Sequence, residues 1–536
     1  MSHSFLQTIR IFMQGNGAVI LPEMELLLFA AGILLIDRWL EEKEKKWNAW
    51  LALSGLAFSA FTLWTLRAQV ASTGDLFGFR DSILIDPFFL FFAALLLVAT
   101  GLHILFSLRM SEFTPENCAH HYALALVAAT GMLLMISGSD LFVLFLGLEI
   151  MSFAFLLLAA RSRSDILSKS SPRKFALATA LSSVPFIAGL ALLYGLGGSS
   201  NIGRVSLALN QRSDLANAIA LSRQPGSHGE EMRQLLAARM PRALEHHWFP
   251  LQTLPLCALI LIAAGLLWKI RRIARLRTAA NSSGDAPAFA YTRSYAATAA
   301  ATASFILFLR IMLTAFASSQ ETWLYFIAGL SLAGIATASL FALRSARLSE
   351  LLLCCCISQF AFVLLGLISA NETGIVGIAF HLLIYILMAA GAFAIATLLQ
   401  QKESSGPQNF TAIFQQSPAL VVLLAIFLLS FTSLPLTAGF LAKYYLIKSL
   451  IETHHIAIAI AAILFLLPIS YACVRIAVQT FRKPPSAEPQ PEISTPVIPT
   501  LTNPEAIALG ISVFVTLAAG LYPEPFLRLT RYAFGQ

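Results

Sequence analysis

Charge is what this sequence has least of. Asp, Glu, Lys and Arg make up 12% of its 536 residues, where soluble globular chains carry about 25%. With 57% hydrophobic residues and a mean hydropathy of +0.75, that shortage argues against an ordinary soluble fold. Repeated apolar runs of about 20 residues indicate an all-α polytopic membrane protein instead. Metal-ligand cysteine spacing is lacking as well. The six cysteines are Cys118, Cys257, Cys354, Cys355, Cys356 and Cys473. Successive helical residues point about 100° apart, so Cys354 to Cys356 cannot converge on one metal and read as small apolar filler. There is no Walker loop, dinucleotide fingerprint or haem attachment motif, so no cofactor is expected in this chain. Nor does a cleavable signal peptide stand out. The first apolar run begins near Val19, lacks a small-residue cleavage site, and reads as a first spanning helix.

The charge that is present is patterned. The formal net charge is +8, but the basic residues are spread over short loops. They fit orientation by the positive-inside rule better than nucleic-acid binding. About fourteen spans are predicted, near 19–37, 47–66, 86–108, 121–137, 140–160, 174–195, 250–270, 292–315, 322–343, 350–369, 373–399, 417–451, 455–481 and 503–525. Arg38, Lys43, Lys45 and Lys46, then Arg161, Arg163, Lys169 and Arg173, then Arg271, Arg272, Arg275 and Arg277 fall on one side. That side is expected to be cytoplasmic, which puts both termini on the other face of the inner (plasma) membrane. Residues 196–249 read as a polar loop with a short helix at 229–244. Residues 271–291 read as a basic, then Ser/Gly/Ala-rich loop, and 483–503 as a Pro-rich linker. The twelfth span contains Ser433-Leu-Pro-Leu-Thr-Ala-Gly439. Pro435 removes a backbone donor there, so a broken helix is expected, a feature that often marks ion sites in transporters.

A few ionisable residues interrupt the apolar runs. Glu149 stands near the middle of Leu141 to Leu158. A carboxylate at that depth costs roughly 2.5–3.5 kcal/mol on insertion scales, so it normally lies in a protein interior along an ion path. Lys174 opens the sixth span, Lys269 closes the seventh, His381 lies inside the eleventh and Lys443 follows the break in the twelfth. A lysine whose carboxylate partner comes and goes can bind and release a proton, whereas arginine stays protonated. Each has a plainer reading. Lys174 and Lys269 could snorkel to the interface, His381 could be a hydrogen-bonded packing residue, and Arg310 and Arg475 read as anchors near span ends.

Several stretches carry a family resemblance. Leu146-Gly-Leu-Glu149-Ile-Met-Ser, Lys174-Phe-Ala-Leu-Ala, Leu193-Tyr-Gly-Leu-Gly-Gly-Ser-Ser-Asn201, Tyr385-Ile-Leu-Met-Ala-Ala-Gly391 and Leu434-Pro-Leu-Thr-Ala-Gly-Phe-Leu-Ala-Lys443-Tyr-Tyr resemble the subunit N family of proton-pumping NADH-quinone oxidoreductase (respiratory complex I). Related cation/proton antiporter subunits share parts of these motifs. The resemblance implies two inverted five-helix repeats with broken helices. It divides the chain into 1–120 (spans 1–3), 121–320 (spans 4–8, with loop 196–249), 321–481 (spans 9–13) and 482–536 (linker and span 14). It also implies a proton path in which Glu149 pairs with Lys174, Lys269 is central and Lys443 lies toward the exit or a neighbouring subunit. Flavin, iron–sulfur clusters and quinone would belong to partner subunits, and the chain's neighbours would be other membrane-arm subunits and lipid.

Two departures stand out. The family continues after the seventh-span lysine with Pro-Phe-His-x-Trp-x-Pro-Asp, whereas this chain reads Lys269-Ile-Arg-Arg-Ile-Ala-Arg. A family lysine on the eighth span is replaced here at about Ala301. His381 stands where the family often has tyrosine and is a candidate to compensate. Three readings stay open: a complex I pump subunit, a subunit of a multisubunit cation/proton antiporter, and a structural member that no longer conducts.

Overall fold

Inside a bilayer every backbone polar group must be paired within the protein, so apolar runs of this length fold as helices. The computed structural model describes residues 17–109, 115–161, 177, 179–222, 230–234, 253–274, 287–317, 320–345, 347–400, 418–481 and 502–534. The helices are α1 (Leu21–Ile36), α2 (Trp47–Thr73), α3 (Pro87–Phe106), α4 (Pro115–Ser137), α5 (Leu141–Arg161), α6 (Val184–Gly197), α7 (Ile202–Ser222) and α8 (Thr253–Ala274). The eighth span is one rod made of α9 (Pro287–Tyr295), a π turn at Ala296–Ala300 and α10 (Ala301–Thr314). Then follow α11 (Gln320–Arg344), α12 (Leu348–Ser369), α13 (Glu372–Gln400), α14 (Pro418–Phe431), α15 (Ala438–Glu452), α16 (Ile456–Phe481), α17 (Asn503–Leu521) and α18 (Glu524–Tyr532). Among the described residues, thirteen stretches are long and apolar enough to cross a membrane. The broken pair α14–α15 occupies the place of the twelfth span.

The same neighbours recur in the two halves. In the first, α4 packs on α5 and α10, and α8 packs on α5, α6 and α10. In the second, α11 packs on α12 and α16, and α15 packs on α12, α13 and α16. Close helix approach needs small residues, because lipid supplies no hydrophobic drive between helices. Between α4 and α5 those residues are Gly131 and Gly147. A Cβ on Gly147 would stand 2.7 Å from the Met135 nitrogen and 2.9 Å from the Gly131 oxygen.

At one end of the first half the connections are stitched together. A hairpin of β1 (Leu76–Gly78) and β2 (Ile83–Ile85) precedes α3. Ile83 bridges to Gly138 and Asp140 bridges to Asn201. The Ser139 amide donates to the Ser82 carbonyl at 2.9 Å, the Leu141 amide to Ser200 at 2.8 Å and the Ile202 amide to Ser139 at 2.9 Å. The Asn201 side chain adds a bond to the Asp81 carbonyl at 3.1 Å.

Three expectations are corrected. Residues 202–222, read as loop, form α7, which tucks Ile202, Val205 and Leu209 into the core. The eighth span contains a π turn, which no apolar period announces. The final span is followed by a separate helix, α18, half exposed and kept polar by Arg528 and Arg531 near Glu524. Most of the expected helix at 229–244 lies outside the described residues, as do the linker 483–503 up to residue 501 and much of loop 271–291.

Candidate functional site: buried lysines along the bundle

Glu149 is placed by the glycine contact just described, two residues earlier on α5. Lys269 is placed similarly: Gly265, one turn before it on α8, abuts α6, where an added Cβ would stand 2.5 Å from the Phe186 nitrogen. Lys269 lies a full turn inside the end of α8, its side chain 1% exposed, and does not snorkel. Its Nζ donates to Glu149 Oε1 at 2.6 Å and to Ser152 Oγ at 3.3 Å. Ser152 gives its own hydrogen to the Leu148 carbonyl at 2.6 Å, so its free lone pair faces the ammonium. Glu149 keeps 32% of its side chain exposed. Glu149 thus has Lys269 as its partner among the described residues. The expected partner, Lys174, lies outside them.

The second buried lysine depends on the broken span. In a continuous helix the residue-435 amide would bond the Phe431 carbonyl, but proline has no N–H. The helix stops at Phe431, and Ser433 and Leu436 take left-handed φ of 67° and 76°. Lys443 Nζ, on α15, uses the freed acceptor: it donates to the Phe431 carbonyl at 2.7 Å and to Ser433 Oγ at 2.8 Å. Gln359 Nε2, from α12, donates to the same carbonyl at 3.3 Å. The ammonium also lies 5.8 Å from the Phe362 ring centroid. A helix C-terminus carries partial negative charge, so the end of α14 offers a cation site made of backbone. Lys443 is 2% exposed and, among the described residues, forms no ion pair. The break also needs Gly439, since a Cβ there would collide with the Ser430 carbonyl.

His381 is 1% exposed on α13. Neither ring nitrogen has a hydrogen-bond partner among the described residues. The hydrogen-bonded packing role considered from sequence therefore does not hold there. At the place of the family's eighth-span lysine, Ala301 begins α10, directly after the π turn. Tyr385, one turn beyond His381, donates its hydroxyl to the Ala297 carbonyl of that turn at 2.8 Å.

Arg310 is more than an anchor at a span end. It is 4% exposed and donates to Asp86 Oδ2 at 2.6 Å. Asp86 also caps α3 by accepting the Phe89 amide at 2.8 Å. In the adjoining loop, burial and then the Asp86 charge push the Asp75 carboxyl up, while Arg310 pulls it back. The cysteine reading stands in part. Cys354, Cys355, Cys356 and Cys473 are buried, and Cys355 and Cys473 meet sulfur to sulfur at 3.5 Å. Among the described residues no cluster of three or more metal-ligating side chains occurs. Sequence reasoning passed over the His103–His121 contact between α3 and α4. Its only sequence signal is two histidines near the facing ends of consecutive spans.

Two lysines held inside an apolar bundle, one against a carboxylate and one at the end of a half-helix, define a membrane protein with charge held in its interior. The chain belongs to the NADH:quinone oxidoreductase/Mrp antiporter transmembrane family, whose model matches residues 137–467. It is 33% identical over 525 residues to NADH-quinone oxidoreductase subunit N 1 of Koribacter versatilis (strain Ellin345), covering 96% of this chain and 94% of that one. Among solved structures it is similar to a chain of respiratory complex I from Thermus thermophilus, with a TM-score of 0.67 and 21% identity over 95% of this chain and 99% of that one. It is also similar to a chain of the Mrp complex from Dietzia sp. DQ12-45-1b, with a TM-score of 0.68 and 17% identity over 95% and 96%. These two likenesses speak to the fold.

Proposed function

We propose that this chain is a membrane-arm subunit of a proton-translocating NADH-quinone oxidoreductase, moving protons across the membrane while quinone is reduced elsewhere in the complex. The observation that carries the reading is the pair of buried lysines with partners of different strength. Lys269 has a carboxylate and Lys443 has backbone and hydroxyl oxygens. A proton resting on Lys269 is held by Glu149. When that hold weakens, the proton can pass toward His381 and Lys443, where only dipoles retain it. The path assigned is Glu149, Lys174, Lys269, His381 and Lys443. His381 bridges the stretch where an eighth-span lysine is replaced by Ala301.

The recurrence of helix neighbours supports treating 121–320 and 321–481 as two related repeats, flanked by 1–120 and 482–536. The Lys/Arg-rich loops support a cytoplasmic side opposite both termini, which are assigned to the outer face. Partners are other membrane-arm subunits. Redox groups are assigned to those partners, consistent with a chain that carries no cofactor motif.

Lys443→Ala tests the reading in the assembled complex. Proton pumping per NADH oxidised should fall sharply while complex content stays normal. Undiminished pumping would favour a structural member. Co-purification decides the antiporter alternative: flavin and iron–sulfur subunits support the oxidoreductase, and only small membrane subunits would replace it.

A further inference from the structure

The path above names no group that delivers protons to the Glu149–Lys269 pair from the end where α3 finishes. Another buried titratable group lies close by. His103 on α3 and His121 on α4 are 5% and 3% exposed, and their Nε2 atoms stand 3.1 Å apart. Two imidazole nitrogens at that distance hold one hydrogen between them, with one ring donating and the other accepting. The Tyr295 ring from α9 stacks on His103, with centroids 4.2 Å apart and planes 8° from parallel. Tyr295 is fixed in turn by a hydroxyl contact of 3.0 Å with Thr100 and a bond of 3.2 Å to the Ala125 carbonyl. Tyr295 is the last residue before the π turn, a feature frequent at functional sites.

The position matters as much as the chemistry. His103 is one turn from Ser107, where α3 ends, and Tyr122 donates to the Ser107 carbonyl at 2.9 Å. The starts of α3 and α5 meet at the Ile83–Gly138 and Asp140–Asn201 bridges, and α8 runs antiparallel to α6, with Gly189 against Ile262 and Gly265 against Phe186, so α3, α5 and α8 run in the same direction. Phe155, one turn beyond Ser152 on α5, contacts Tyr295 with centroids 5.0 Å apart. Through Tyr295 and Phe155 the histidines are linked to α5 one helical turn beyond Ser152, on the side toward the end where α3 and α5 finish.

We propose that His103 and His121 form the proton-uptake relay that supplies Lys269 from the face where α3 ends. The step balances without another reactant. A proton arrives at Nδ1 of the donor ring, the shared hydrogen passes from its Nε2 to the Nε2 of the acceptor ring, and the Nδ1 hydrogen of that ring departs toward Ser152 and Lys269. One proton enters and one leaves. Among the described residues, the ionisable side chains around the pair include Tyr295 from α9, Tyr122 edge-on to His121, with Tyr291 near Tyr122, and Cys118 one turn before Tyr122 on α4, which the Asp37 and Lys45 charges reach. Tyr295 is a positioning residue, orienting His103 by its stacked face. This inference rests on the proton-path reading above.

The test uses the whole complex in membrane vesicles, with His103→Gln and His121→Gln as independent variants and Glu149→Gln beside them. Proton pumping is measured against NADH oxidation and complex content from pH 6 to pH 8.5. Loss of an uptake relay limits the rate where protons are scarce. Pumping by either variant should therefore fall at least about threefold at pH 8.5 while staying near the parent at pH 6. A packing defect would lower assembled complex equally at every pH. If Glu149→Gln stops pumping but both histidine variants follow the parent profile, or drop evenly across it, the relay is overturned and the Lys269 path stands. If Glu149→Gln pumps normally, both fall together.

Discussion

Glu149→Gln removes one charge and almost nothing else. The amide keeps an oxygen for the Lys269 ammonium and nearly the same volume. At 2.6 Å and an effective dielectric of about 20, the lost Coulomb attraction is about 6 kcal/mol. Glu149 is 32% exposed, and an amide dipole recovers part of the attraction. A net loss of about 2–4 kcal/mol is therefore expected, at the lower end of what breaking a buried pair costs. Any step that needs the intact pair should slow by about thirtyfold to a thousandfold, at 1.4 kcal/mol per factor of ten. The assay is a dye-reported pH gradient in inverted vesicles, divided by NADH oxidation, with complex content checked on native gels. Glu149→Asp, which keeps the charge on a shorter stem, should fall between variant and parent. Assembled Glu149→Gln complex that pumps within twofold of the parent would refute the argument that this carboxylate governs proton occupancy at Lys269.

Two further outcomes follow from the geometry. Pro435→Ala restores an N–H that competes with Lys443 for the Phe431 carbonyl, and it removes a helix penalty of about 3 kcal/mol. Pumping should drop while quinone reduction continues, and unchanged pumping would show that the broken end of α14 does not serve Lys443. Arg310→Met leaves Asp86, 17% exposed, without its cation and should destabilise the subunit by about 3 kcal/mol, the low end for breaking a buried pair, read as a lower melting temperature in detergent. Adding Asp86→Leu should restore part of that loss, but not the N-cap worth about 1 kcal/mol.

The spans were legible because burial in lipid leaves a long apolar run no other structure, and Pro435 announced the break by its missing N–H. Glu149 and Lys443 stood out because charge is scarce around them. The partner of Lys269 was not legible. Glu149 and Lys269 lie 120 positions apart on separate helices, and how α5 and α8 turn against their neighbours, at Gly147 and Gly265, is a matter of packing rather than of sequence spacing. Helix α7 escaped notice because three buried side chains, Ile202, Val205 and Leu209, were masked by the polar residues between them. The π turn at Ala296–Ala300 depends on how α9 packs under Tyr295 and Tyr385, which alanines do not record.

The stitched connections around Asp81, Ser139, Asn201 and Leu141 have a mechanical consequence. They tie the ends of α3, α4, α5 and α6 to one another through backbone bonds. Tilting of these helices must then pivot about that seam, with the widest excursions at the opposite ends, where α3 closes and α5 finishes. Small gaps can open and shut on that side without disturbing the seal on the other.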